Sequence, residues 1–155
     1  MYTATVSTVH EHLRAAGATG EIKVLNAPVP TAAAAADALG CDTGAIANSL
    51  VFETDGEALL VLASGGHRVH TGRLARRLGT GKIRQATPDF VLAHTGQAVG
   101  GVAPVGHPEP LRTVVDEALA AYQVVWAGAG DENAMFSTSF GELVRITNGT
   151  PLEVD

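Results

Sequence analysis

The sequence predicts an α+β protein, or an α/β protein with a mixed sheet, and three observations carry that expectation. Helix-type and strand-type segments are interleaved without a strict βαβ repeat. An Asp55-Gly56 pair separates two strand-like runs, which marks an antiparallel hairpin. The second run, Glu57 to Ala63, is almost wholly apolar, as expected of a strand buried on both faces.

Taken in order, a first helix is expected from about Ser7 to Ala16, stopped at Gly17. Glu21 to Asn26 reads as a short strand. The Ala32 to Ala36 run favours helix, with Thr31 as its cap and Gly40 as its end. The hairpin pairs Ser49–Thr54 with Glu57–Ala63; Asp-Gly supplies the positive φ angles of a type I′ turn. Thr71 to Leu78 reads as a helix ended by Gly79, and Lys82 to Gln85 as a short strand. Thr87, with Pro88 at the first helical position, opens a helix through about Thr95. Leu111 to Val115 reads as a strand, Asp116 to Tyr122 as a short helix, Val124 to Ala127 as a strand and Met135 to Ser137 as extended chain. Ser139 starts a last helix, with Glu142 completing a capping box and Asn148-Gly149 ending it.

The 155 residues fit one domain, 1–155, with one core. Aromatic residues make up only 5% of the chain, so Ala, Val and Leu must fill that core and helices can pack closely on the sheet. No apolar run approaches the roughly 20 residues of a membrane helix, and the N-terminus lacks the pattern of a secretory signal. Cys41 is the only cysteine, which rules out an internal disulfide and a cysteine metal cluster. These features point to the cytoplasm and away from a membrane, so the Asn148-Gly149-Thr150 glycosylation pattern is discounted.

The net charge of −6 argues against a general nucleic-acid binder, but its distribution is uneven. Arg68, Arg73, Arg76, Arg77, Lys82 and Arg84 are six of the ten basic residues, and no Asp or Glu lies between Glu57 and Asp89. An acidic body with one basic segment suits a protein that touches a polyanion at one place; a solvated helix face gives the same pattern.

Several familiar motifs fail. Gly79-Thr80-Gly81-Lys82 lacks the hydroxyl residue and upstream glycine of a phosphate loop. There is no Gly-x-Ser-x-Gly elbow. His10 and His12 point in different directions on a helix, and His67-x-x-His70 has no matching ligand set nearby in sequence, so no metal is expected. Gly100-Gly101-Val102-Ala103-Pro104 is more informative. Two glycines let a backbone approach a ligand, and exposed N–H groups there would bind a carbonyl or a ribose; a tight structural turn is the alternative. Gly128-Ala129-Gly130 follows a strand and is either a binding loop or a plain turn.

Several of these segments resemble, in order, one family. They are the Thr31-capped alanine-rich helix, Gly44 to Phe52, Leu59 to Val61 with Gly66-His67-Arg68-Val69, and the Gly-x-x-x-Pro loop from Gly100 to Pro104. Val115-Asp116-Glu117, Val125 to Gly130 and Glu142 to Thr147 complete the set, which covers about Thr31 to Gly149. The chain is similar to the YbaK-like, or prolyl-tRNA-synthetase-associated, editing domains. That resemblance implies an α+β fold with a curved mixed sheet flanked by helices. It implies hydrolysis of the ester between a wrong amino acid and the 3′ adenosine of tRNA, with no cofactor. The implied partners are tRNA and an aminoacyl-tRNA synthetase, with the chain a monomer or a homodimer.

The family's lysine, the residue most tied to activity, is replaced here by Asn48, which is neutral and both donates and accepts. On this reading Gly100, Gly101 and Val102 contact the scissile carbonyl or terminal ribose through their backbone. Asn48 and Ser49 hydrogen-bond ribose or phosphate, and His67 orients or relays a proton. Pro104, Gly128, Ala129 and Gly130 form further walls, and Arg68 and Arg73 meet the acceptor stem. The alternative is a catalytically inactive module that binds tRNA or a nucleotide.

Overall fold

The computed structural model describes residues 2–155. Helix α1 spans Ala4–Ala15 and starts earlier than expected, because the Thr3 hydroxyl, accepting the Val6 N–H, caps it ahead of Ser7. Val6, Val9 and Leu13 recur on one helical face and are all buried. Strand β1 covers Ile22–Val24. Helix α2, Ala32–Leu39, runs between the Thr31 cap and a left-handed Gly40. A 3-10 turn at Thr43–Ala45 leads into β2, Ile46–Thr54, and β3, Glu57–Ser64. Their connection holds Asp55 at φ 53° and Gly56 at φ 80°, the two positive angles of a type I′ turn.

Helix α3 is Thr71–Leu78, β4 is Arg84–Gln85 and α4 is Pro88–Thr95. Strand β5, Arg112–Asp116, runs into the expected short helix, which is a 3-10 segment, Glu117–Ala121. Strands β6, Val125–Gly128, and β7, Ala134–Thr138, precede helix α5, Phe140–Thr147. Half of the anticipated capping box forms there: Glu142 N–H donates to Ser139 Oγ at 3.1 Å, but the Glu142 carboxylate accepts the Thr138 hydroxyl at 2.7 Å. Strand β8, Thr150–Leu152, was not anticipated from sequence; three residues including a proline give no periodic signal.

The strands form one mixed sheet in the order β1-β7-β6-β2-β3-β5-β8, with β4 also paired to β2. The β1–β7, β6–β7, β2–β3 and β2–β4 ladders are antiparallel; β2–β6, β3–β5 and β5–β8 are parallel. Central β3 is buried on both faces, as its apolar run predicts. Leu60 and Leu62 join a core with α1, α4 and α5, whereas Leu59, Val61 and Ala63 join another beneath α3. A third cluster packs Ala32, Ala35 and Ala36 of α2 on Ile46 and Met135.

One feature of the sheet prepares a site. The edge of β2 away from β3 is shared by two strands. Ile46 and Ala47 pair with Trp126 and Ala127 of β6, while Phe52 and Glu53 pair with Gln85 and Arg84 of β4. Between them, Asn48 to Val51 have no ladder partner on that edge among the described residues.

Candidate functional site

The gap beside β2 opens into a two-lobed cleft. The smaller lobe, about 250 Å³, lies between the start of α2, β2 and the β6–β7 connection. The larger, about 440 Å³, lies between β2, the His67–Val69 segment and β4. Ser49, Leu50, Val99, Gly100 and Val102 line both. Val99 is exposed at the rim.

The strand pleat sends Asn48 and Ser49 to opposite faces. Ser49 follows Ala47 and Val51 toward the core with Val91 and Val102, while Asn48 follows Ile46 and Leu50. Because the neighbouring ladder is absent between them, both still line the smaller lobe. Ser49 Oγ is buried and is, among the described residues, the only buried side-chain nitrogen or oxygen with no hydrogen-bond partner. Such an atom has been desolvated without compensation and is an anomaly that calls for a ligand or an ordered water.

The glycine loop reaches the cleft in part. Gly100 is exposed, and Val102 is buried against the Ser49 side. Gly101 is glycine because of packing: a Cβ there would lie 2.6 Å from the Asp131 carbonyl carbon, and its own carbonyl accepts the Gly130 N–H at 2.8 Å. The Gly101 N–H, offered from sequence as a ligand contact, turns instead to Ala98 O at 3.4 Å. Gly128 lines the smaller lobe. Pro104, Ala129 and Gly130 do not line either lobe, which departs from their placing as walls. Pro104 borders a separate cavity with His12 and His107. Ala129 is fully buried, its N–H given to Ala134 O, and Gly130 packs on Thr5 and Val9 of α1.

His67 stands at the wall of the larger lobe. Its Nδ1 lies 3.0 Å from Asp116 Oδ2, and its Nε2 lies 3.6 Å from Asp155 Oδ2. Asp116 is fully buried, and its carboxylate also accepts the N–H groups of Ser64 and Ala118 at 2.9 and 3.0 Å. A carboxylate only accepts, so the contact is a hydrogen bond in the tautomer with the proton on Nδ1. His70 is committed separately, its Nδ1 accepting the Arg73 N–H as the cap of α3. Arg68 lines the larger lobe; Arg73 is exposed on α3 and lines neither lobe.

Sequence reasoning missed three acidic groups. Asp131 and Glu132 line the smaller lobe, and Asp116 fixes the histidine. In the sequence Asp116 stands only as the start of a short helix and as part of the Val115-Asp116-Glu117 segment, because its ring partner lies 49 residues away. The two lobes therefore differ in charge: the smaller carries only Asp131 and Glu132, the larger Arg68 beside His67. Among the described residues no three metal-ligating side chains converge. The chemistry on offer is hydrogen bonding and charge, with a buried hydroxyl at the junction.

The profile described as "Aminoacyl-tRNA editing domain" matches residues 26–146. The chain belongs to the aminoacyl-tRNA editing domain family. A solved structure of a candidate trans-editing enzyme for prolyl tRNA synthetase superposes on this editing domain with a TM-score of 0.94 and 36% identity. That match covers 100% of this chain and 99% of the other. The proline–tRNA ligase of Staphylococcus aureus (strain Newman) is 34% identical over 133 residues, 86% of this chain but 22% of the ligase. The uncharacterised protein YwhH of Bacillus subtilis (strain 168) is 27% identical over 113 residues, 73% of this chain and 72% of that protein. The expected family and the α+β fold with a mixed sheet are thus established for this chain, and an aminoacyl-tRNA editing role comes with them. No helix is long and apolar enough to cross a membrane among the described residues.

Proposed function

We propose that the chain is a trans-editing hydrolase that deacylates mischarged aminoacyl-tRNA by attack of water on the 3′ ester. The observation that carries the reading is the buried, unpartnered Ser49 hydroxyl at the junction of two lobes of opposite charge. An aminoacyl ester has a cationic amino group at one end and a nucleotide at the other. The acidic lobe with Asp131 and Glu132 suits the ammonium, and the larger lobe, with apolar walls and Arg68, suits the terminal adenosine and its phosphate. The ester then lies across Ser49, Gly100 and Val102. Exposed Arg73 and Arg76 continue the basic surface toward an acceptor stem.

The ester is labile, so the site needs no strong nucleophile; it needs a placed water and donors for the developing oxyanion. The Gly100 and Val102 N–H groups and Ser49 Oγ fill the donor role. Asn48 holds ribose or phosphate, His67 orients the nucleotide or relays a proton from its fixed ring, and a ribose hydroxyl assists. The partners on this reading are tRNA and a synthetase, and the compartment is the cytoplasm, where translation supplies charged tRNA.

A second reading is a binding module of the same fold that does not cleave, and neutral Asn48 in the place of the family's lysine favours it. Deacylation of a mischarged panel, beginning with Ala-, Ser- and Cys-tRNA, separates the two. Turnover above buffer that falls with Asn48→Ala supports the hydrolase. Salt-sensitive tRNA binding without turnover supports the module.

A further inference from the structure

The loop that crosses the cleft between Gln97 and His107 has no regular structure, yet its crown, Gly100 to Val102, must sit within reach of Ser49 if the cleft is to act. One side chain ties both ends of that crown. Gln97 is only 2% exposed; its Oε1 accepts the Ala103 N–H at 2.7 Å and its Nε2 donates to Val105 O at 3.1 Å. The residue is itself fastened to α4. Its N–H donates to Thr95 Oγ1 at 3.0 Å, and that hydroxyl lies 2.7 Å from Val91 O. His107 adds a third tie, its Nε2 donating to Ala103 O at 2.8 Å. The crown's own anchors are fewer: Gly101 N–H to Ala98 O at 3.4 Å, and Gly130 N–H to Gly101 O at 2.8 Å.

We propose that Gln97 is a positioning residue whose side-chain amide holds Gly100–Val102 against Ser49 in the geometry that the reaction requires. An amide suits this post because one neutral planar group both accepts from Ala103 and donates to Val105. Leucine fills similar space but leaves a buried N–H and a buried carbonyl unpaired. Glutamate reproduces both bonds only while protonated, with its hydroxyl donating to Val105 O. Ionised, it has no donor and places a charge in the core. The carboxyl's burial disfavours that charged form and raises its pKa, so the exchange between the two states falls in an accessible pH range.

The catalytic part of this inference rests on the hydrolase reading; the geometric part does not. The experiment therefore has two readouts on the full chain: amide hydrogen exchange along residues 98–106, and deacylation of the mischarged tRNA that the unaltered chain turns over fastest. Gln97→Leu is expected to speed exchange of the loop amides about tenfold or more, with the sheet amides unchanged. It is expected to lower kcat about 10- to 100-fold with KM altered less than about threefold, because the lost geometry acts at the ester and not on tRNA binding. Gln97→Glu is expected to match the unaltered chain near pH 5 and to lose loop protection and kcat toward the Gln97→Leu values near pH 8; the pH-dependent fall in kcat with KM held is what a merely structural glutamine does not give. If Gln97→Leu does not fold, the Gln97→Glu pH series decides alone. Loop exchange that stays at the unaltered rate in Gln97→Leu, or near pH 8 in Gln97→Glu, overturns the proposal. If the unaltered chain hydrolyses no tRNA, the hydrolase reading falls while the exchange result still decides the role of Gln97.

Discussion

Ser49 carries a cost that the fold does not repay: a buried hydroxyl without a partner. Ser49→Ala removes that cost, and we expect the unfolding free energy to rise by about 1 kcal/mol while deacylation falls at least about tenfold. Thermal melts and single-turnover deacylation on the same preparation check the pair; a loss of both would mean that the hydroxyl is structural. His107 argues at the same scale. Burial lowers its pKa below the usual histidine value, the Ala103 hydrogen bond opposes that, and the nearby His12 charge adds to the lowering. The folded chain thus keeps this ring neutral where the unfolded chain protonates it. The stability it contributes is full above about pH 6.5 and is lost as the pH falls toward the lower folded value. The melting temperature is expected to drop between about pH 7 and pH 5, and to drop less in His107→Gln.

At the scale of elements, the glycine loop and the β6–β7 connection lie backbone to backbone. Gly101→Ala places a methyl 2.6 Å from the Asp131 carbonyl carbon, and Asp131 and Glu132 line the acidic lobe. The expected result is about 1–3 kcal/mol of destabilisation together with lost activity, read by denaturant titration and deacylation. Local chemistry made most elements legible in advance. Thr31, Thr87 and Ser139 cap helices, Gly40 and Gly79 end them, and Asp55-Gly56 turns the hairpin. The misses have local causes too. The Thr3 cap starts the first helix ahead of Ser7, and β8 was too short to show a period. The site was legible only where it lies along one strand or one loop. Asn48, Ser49 and Gly100, singled out from sequence, do line the cleft, but whether Gly130 faces that cleft or α1 depends on contacts with Thr5 and Val9, which sequence spacing does not encode. The same limit hid Asp131 and Glu132, whose neighbour Gly101 lies 30 residues upstream.

For the whole molecule, charge is the quantity that sets how a polyanion approaches. The segment from Arg68 to Arg84 carries six of the ten basic residues in a chain of net charge −6. Of these, Arg77 is already engaged, giving a hydrogen bond to Glu153 O and lying 3.6 Å from its carboxylate. Arg68 reaches the cleft, so Arg68→Gln is expected to weaken tRNA binding and to reduce the slope of log affinity against log salt by about one. Binding isotherms at several salt concentrations check this; an unchanged slope would place the phosphates elsewhere.

The split neighbour of β2 has a consequence for how such a protein changes over time. Eight residue pairs zip β2 to β3 along its length, so the strand is secured from one side alone at Asn48 to Val51. Exchanging the exposed side chain at Asn48 alters the shape and charge of the opening without taxing any ladder on the vacant edge. Of the four, Asn48 is exposed while Leu50 and Val51 pack on the two cores, so position 48 is where the opening can change its charge at least cost to the fold.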